Sequence, residues 1–421
     1  MKLLFVSNLY PPYHLGGYEL LCHDIATRLT ARGHDVTVLT STFGVNQETS
    51  EPGVHRRLWL ESDLYYYRPQ QGLRYRSIQA HNRLAVERTL REVAPDAVIV
   101  WGMWELSKHV AAQLEELQGL PVLYYFASSW PIEPSAHEAY WDSPADSALG
   151  RSFNRIFRGI VKAGLRSEWR PYSLRYDQVL ACCQSVCDEL AAAQVKTGNM
   201  DVVFHGVDAE LYTRAAQLAR NQEADRLKVV FVGSLYSHKG VHTAIEAMDR
   251  LRQIDAALPV TLDILGKGHP DYEVQLHTLV DRLQLHDIVK FHKPIPREQL
   301  PEFLARYNAL VLPSTWEEPL ALISEEALAA QLVLIGTLTG GTKELLEPDV
   351  NGLAFPVEDA DALARQLFRL AADPALRRQL AQAGWQTVVD RFTMTHTLDE
   401  FERHLNAMVK IHTFATAGGT A

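Results

Sequence analysis

Glu318 and Glu326 stand with seven residues between them in the segment Pro313-Ser314-Thr315-Trp316-Glu317-Glu318-Pro319-Leu320-Ala321-Leu322-Ile323-Ser324-Glu325-Glu326-Ala327. Ionised carboxylates only accept hydrogen bonds, so a spaced pair suits a polyhydroxyl ligand, and loop amides between them suit a phosphate. The same two residues would equally serve as acidic charges complementing a helix dipole. Phe231-Val232-Gly233-Ser234-Leu235-Tyr236-Ser237-His238-Lys239-Gly240 puts Lys239 on a loop just before a helix, where an ammonium and amide dipoles would act together on a phosphate; a solvated surface lysine is the plainer reading. Gly16-Gly17 lets the backbone approach a ligand closely at a helix start, or makes a plain turn. A GxGxxG dinucleotide pattern is absent, which counts against a nicotinamide enzyme.

These residues need scaffolds that end where they begin. Leu3 to Val6 form a short apolar run ahead of Gly16-Gly17; Leu20, Leu21, Ile25, Ala26 and Leu29 recur at helical spacing, and Val36 to Thr40 is β-rich. This is a βαβ unit with a parallel sheet, and runs at 97–100, 122–125 and 178–181 continue it. A second series opens at Lys228 to Gly233, with a helix from about Val241 and strand-like runs at 261–265, 288–291, 309–312 and 332–335. The fold class expected is α/β, two tandem Rossmann-like domains facing a central cleft, because open parallel sheets bind ligands at the carboxyl ends of their strands. The domain reading is 1–208, 209–395, and a C-terminal helix and tail at 396–421 that crosses back to the N-terminal domain. The polar stretch from Asp208 to Arg226 reads as the linker. Leu398, Phe401, Leu405 and Met408 define the last amphipathic helix, and the small polar tail from Thr413 is expected to fray.

Composition narrows the classes further. The 421 residues are 47% hydrophobic and 22% charged, with no apolar stretch long enough to cross a bilayer and an opening run too short for a secretory signal. Residues 1–200 carry 20 Lys and Arg against 21 Asp and Glu, so nearly all of the net charge of −10 lies beyond them, and nucleic-acid binding is not expected. Four cysteines, three of them crowded at Cys182, Cys183 and Cys187, make neither a disulfide framework nor a zinc site and read as core. A cytoplasmic protein is expected.

Taken together, "PPYHLGGYE", "LTARGHDVTVLT", "FHGVD" at 204–208, "VGSLYSHKG", "LGKG" at 265–268, "LPSTWEEPLALISEEALA" and "GTLTGGTKELLEPDVNGLAF" resemble the retaining family 4 glycosyltransferases of the GT-B fold, nearly end to end. The resemblance implies transfer of a sugar from a nucleotide diphosphate sugar to a carbohydrate or lipid-linked acceptor, with no metal and no cofactor. By the same resemblance, Glu318 binds donor-sugar hydroxyls and Glu326 the ribose hydroxyls, while Lys239 holds the diphosphate with the amides around Leu320, Ala321, Leu322 and Ile323. Gly233 and Ser234 belong to the donor loop, and Gly16 and Gly17 close over diphosphate and sugar. This chain departs from the family pattern at Ser234 (usually arginine), Leu320-Ala321 (usually Phe-Gly), Ala127 (usually histidine) and His205 (usually asparagine). Ser234 and Ala127 keep open a nucleotide-sugar-binding protein with impaired catalysis, the shared architecture keeps open an epimerase or sugar phosphorylase, and His205 carries no firm consequence.

For the acceptor, strand-end loops put forward Glu105, Trp130, Glu133 and Asp142, in a region holding six of the eight tryptophans. Arg151, Arg155, Arg158, Lys162 and Arg166 recur every three or four residues opposite Phe153, Ile156, Phe157 and Ile160. Such a helix would lie on an anionic membrane or receive a lipid pyrophosphate, or simply pack on the core with a solvated basic face.

Overall fold

The computed structural model describes residues 1–45, 47–64, 69–117, 119–133, 174–219 and 226–418. The chain divides into two compact units, one made of Met1–Ala181, Cys187–Val203 and Leu398–Ala421, the other of Cys182–Val186 and Phe204–Thr397.

The first unit is built on eight strands: β1 (Lys2–Val6), β2 (Asp35–Ser41), β3 (Thr49–Glu51), β4 (Val54–Leu58), β5 (Ala97–Val100), β6 (Val122–Phe126), β7 (Gln178–Ala181) and β8 (Asn199–Val202). Their order is β3-β4-β2-β1-β5-β6-β7-β8. All neighbours are parallel except β3, which pairs antiparallel with β4. Helices cover a parallel sheet on both faces, so β1 and β5 read as continuous apolar runs rather than alternating ones, and Leu3 to Val6 and Ala97 to Val100 have no exposed surface. The helix Gly17–Ala31 returns the chain from β1 to β2, burying Leu21, Cys22, Ile25, Ala26 and Leu29. The final helix, Met394–Gly418, docks on this unit through Phe401, whose ring centroid lies 5.1 Å from that of Tyr125 and 6.1 Å from that of Trp101. Arg32 holds its rim through Asp399 and Glu402, both at 2.7 Å. It also runs on through residues 413–418, where fraying was expected; each residue added to an existing helix costs little, and Ala415 and Ala417 favour it.

The second unit holds a fully parallel sheet of β9 (Leu227–Val232), β10 (Val260–Leu265), β11 (Val289–His292), β12 (Ala309–Leu312), β13 (Val333–Gly336) and β14 (Gly352–Ala354), in the order β11-β10-β9-β12-β13-β14. Its core gathers Phe231, Ile245, Ile264, Val311, Ile335 and Leu363. Within the stretch read as a linker lies the helix Ala209–Ala219, which buries Tyr212 and Ala216 one turn apart. Two apolar anchors four residues apart were enough to dock a helix whose composition otherwise looks like solvated chain. Among the described residues no helix is long and apolar enough to cross a membrane.

Candidate functional site

Because β9, β12 and β13 are adjacent and parallel, in register Ala309↔Val229 and Leu312↔Gly336, the loops leaving their carboxyl ends emerge along one edge of the second sheet. Those loops carry Lys239, Glu318 and Gly340. Lys239 ends a single 3-10 turn, Ser237–Lys239, and Gly240 follows with φ +67°. A Cβ at Gly240 would lie 1.9 Å from the Pro313 carbonyl oxygen, so only glycine lets this turn press against the β12 loop. Thr315 N–H seals the contact on the His238 carbonyl at 2.8 Å.

The result is a tight ionic cluster. Lys239 Nζ donates to Glu318 Oε1, Ser314 Oγ donates to Glu318 Oε2 at 2.6 Å, and the ammonium lies 5.5 Å from the Trp316 ring centroid. Glu318 is 7% exposed, so both charges are drawn partly out of water and each depends on the other. The β13 loop completes the arrangement: Gly340 has φ +49°, and a Cβ there would sit 1.7 Å from the Glu318 carbonyl oxygen. Glu317 clamps that loop, accepting from Gly340 N–H at 2.6 Å and Lys343 Nζ at 3.0 Å, contacts that hold its carboxyl below the usual range.

Glu326 has a different neighbourhood. It lies on the helix Leu322–Ala329, 5% exposed, where Tyr212 Oη donates to it at 2.8 Å and Arg297 approaches to 3.6 Å. Its neighbour Glu325, wholly buried, meets His205 Nδ1 at 2.9 Å, while His205 Nε2 donates to the Leu320 carbonyl at 3.0 Å. Burial pushes the Glu325 carboxyl up to about 7; burial opposes a charge on His205 too, but the Glu325 carboxylate outweighs it and the imidazole is raised overall. Leu320 and Ala321 are buried and Leu322 and Ile323 half-buried. Ala321 caps the helix without a side-chain acceptor, and the amides of residues 320–323 find no acceptor among the described residues. Gly233 donates to Leu265 at the exit of β9, and Ser234 is exposed beside it.

Sequence reasoning therefore named Lys239, Glu318 and Glu326 and missed their holders. Ser314, Trp316 and Glu317 were visible in the same segment; Tyr212 was hidden in the supposed linker, and Arg297 and Gly340 gave no local signal of reaching this edge.

In the first unit Gly16 and Gly17 are exposed after β1, and Gly16 N–H donates to Glu19 Oε2 at 2.9 Å. Glu105 is half-buried with φ +57°, its carbonyl accepting from Glu61 N–H at 2.9 Å, and burial raises its carboxyl. Glu133 is exposed, its carbonyl accepting from Lys108 Nζ at 3.1 Å. Trp130 is not placed to stack on a sugar: it is 3% exposed, with ring centroids of Phe126 and Tyr176 at 5.3 and 6.1 Å, because it folds back onto the aromatic end of β6 as core. Cys182, Cys183 and Cys187 are buried and form no disulfide. Asp142 and the basic residues Arg151, Arg155, Arg158, Lys162 and Arg166 lie outside the described residues.

Two family models divide the chain between them: glycosyltransferase family 4 over residues 15–211, and glycosyl transferases group 1 over residues 214–387. The chain is 28% identical over 412 residues to a glycogen synthase of Mycobacterium tuberculosis, covering 93% of this chain and 91% of that one. Among solved structures, sucrose-phosphate synthase from Thermosynechococcus elongatus superposes with a TM-score of 0.71 at 21% identity, covering 99% of each chain. Anabaena HepE in complex with UDP-glucose superposes at 0.66 and 19% identity, covering 97% of this chain and all of that one. The chain belongs to family 4 of the glycosyltransferases and has their GT-B fold.

Proposed function

We propose that this glycosyltransferase moves a hexose-type unit from a nucleoside diphosphate sugar to a carbohydrate or lipid-linked acceptor with retention at the anomeric carbon and without a metal. The observation that carries the reading is the Lys239–Glu318 pair at the carboxyl edge of the second sheet, beside a helix start whose amides find no acceptor among the described residues. Departure of the nucleoside diphosphate builds negative charge on the phosphate oxygens. Lys239 and the amides of Leu320 to Ile323 are the groups that offset it, and they are preorganised, so little rearrangement is needed at the moment of bond breaking. Glu318, steadied by Ser314, accepts hydrogen bonds from donor-sugar hydroxyls, and Glu326, steadied by Tyr212, accepts them from the ribose. With Ser234 in place of a second cation on the β9 loop, Lys239 carries that charge alone on its loop. The acceptor hydroxyl then attacks from the face the leaving group vacates. Under the lipid-linked form of the reading, the basic residues from Arg151 to Arg166 meet anionic headgroups.

The test is thermal unfolding with UDP-, GDP- and ADP-glucose, followed by transfer with the stabilising donor. A ligand at 100 times its dissociation constant adds about 2.7 kcal/mol. The expected product keeps the donor's anomeric configuration by proton NMR, at a rate unchanged by EDTA; an inverted product, or a rate abolished by EDTA and restored by Mg²⁺, overturns the reading.

A further inference from the structure

The segment that carries Glu318 is held by three consecutive backbone carbonyls, each gripped from a different part of the second unit. Gly341 N–H donates to the Glu318 carbonyl at 2.8 Å, the Cys183 thiol to that of Pro319 at 3.0 Å, and His205 Nε2 to that of Leu320 at 3.0 Å. In a trans planar peptide the C=O of one residue and the N–H of the next point in opposite directions. Gripping the Pro319 and Leu320 carbonyls therefore aims the Leu320 and Ala321 amides the other way, where neither finds an acceptor among the described residues. His205 is suited to the task. It is 2% exposed, and its Nδ1 faces the Glu325 carboxyl, also fully buried. Whether their shared proton sits on Nδ1 or on the carboxyl, Nε2 keeps its own hydrogen directed at Leu320.

We propose that His205 is a positioning residue for the donor: through the Leu320 carbonyl it aims the Leu320 and Ala321 amides at the donor diphosphate, with Cys183 doing the same one residue earlier. The assignment rests on the donor-site reading above. It predicts that the contact to Leu320, not the one to Glu325, governs diphosphate affinity.

Glutamine and asparagine separate the two contacts, because a glutamine amide reaches about as far as Nε2 and an asparagine amide about as far as Nδ1. Dissociation constants of UDP, GDP and ADP, and of the corresponding nucleosides, are measured by ligand-observed NMR for wild type, His205→Gln, His205→Asn and Cys183→Ala, with folding followed by circular dichroism. For whichever diphosphate binds wild type, His205→Gln is expected within about threefold of it, while His205→Asn, losing one hydrogen bond to the loop, is weaker by about tenfold. Cys183→Ala, the second variant should His205→Asn not fold, is expected to weaken the diphosphate about threefold through its weaker thiol donor. Nucleoside affinity should stay unchanged throughout. Equal diphosphate affinity in all folded variants, the reverse order of glutamine and asparagine, or equal losses for nucleoside and diphosphate overturns the assignment alone. Wild type that binds none of the three diphosphates overturns the donor-site reading and the assignment with it.

Discussion

The loop after β1 in the first unit and the loop after β12 in the second occupy the same station, the carboxyl end of a central parallel strand, yet they are held by different means. The β12 loop is fixed from far along the chain. Its side chains answer to Lys239, 79 residues away, and its carbonyls to Gly341, Cys183 and His205, the last two 136 and 115 residues from their partners. In the β1 loop Arg56 reaches from β4 to the carbonyls of Tyr10 and Pro11, at 3.1 and 2.6 Å, but the glycine turn beyond them is held at Gly16 by a bond to Glu19, three residues on, and its two glycines are exposed. A geometry fixed by distant elements is as rigid as the packed unit around it, whereas one fixed by its own next turn opens with that turn. Substitutions in the β12 loop should therefore act on chemistry and stability strongly, and those at the glycine turn of the β1 loop weakly unless a ligand touches it.

The sharpest break would come at the ionic cluster. Glu318→Ala is expected to lower kcat by 10² or more, about 3 kcal/mol of transition-state stabilisation, while changing nucleotide affinity by less than about threefold. Lys239→Ala should weaken the nucleoside diphosphate by about tenfold or more, because a charge-assisted contact is lost and Glu318 remains half-desolvated without its counter-ion. Transfer kinetics and calorimetric titration check both; wild-type turnover in both variants would remove the β12 loop from the reaction.

A second contrast concerns pH, since the buried pair His205–Glu325 has no counterpart under the β1 loop among the described residues. A carboxyl raised from its ordinary value to about 7 binds a proton in the folded state that the unfolded chain has released, so its contribution is full below about pH 4.5 and is lost as pH rises through 7. His205, raised as well, acts in the same direction above its ordinary value. Glu326, Cys183 and Cys182 also act on this pair; the Glu326 charge adds to the rise at Glu325. Urea unfolding between pH 5 and 8 should show stability falling by about 2–3 kcal/mol, and Glu325→Gln should flatten most of that slope. A slope unchanged in the variant would place the titration elsewhere.

The same distinction explains what the sequence disclosed. Parallel strands and the glutamate segment were legible because each is written in consecutive residues: apolar runs, a loop, then an Ala/Leu helix. The holders were not, since Tyr212 reaches Glu326 across 114 residues and only the packing of their two helices makes them neighbours. Tyr212 and Ala216 carried the one local hint, an i, i+4 apolar pair in a stretch otherwise polar enough to pass for a linker. Trp130 misled in the opposite way: an aromatic at a strand end fits a sugar platform and a core residue alike, and only packing against Phe126 and Tyr176 decides. His205, read as a departure of no consequence, acquired one only when Glu325 and Leu320 were found on its two nitrogens.

The smallest effect is expected at Gly16, and it is the most discriminating. Gly16 has φ −149°, an extended conformation open to any residue, and among the described residues a Cβ there would meet only Glu19 Oε2, at 3.7 Å. None of these contacts requires glycine, so Gly16→Ala should leave the unfolding free energy within about 0.5 kcal/mol of wild type. If a donor diphosphate passes close to this turn, the added methyl crowds the ligand rather than the fold. An overpacking cost of about 1 kcal/mol then appears as roughly a fivefold rise in the donor KM. Donor kinetics that match wild type would mean that Gly16 is a turn residue alone, and the contrast between the two loops would become one of function as well as of holding. A loss of stability instead would show that the turn is gripped by contacts beyond Glu19, and the two loops would then differ less than their hydrogen bonds suggest.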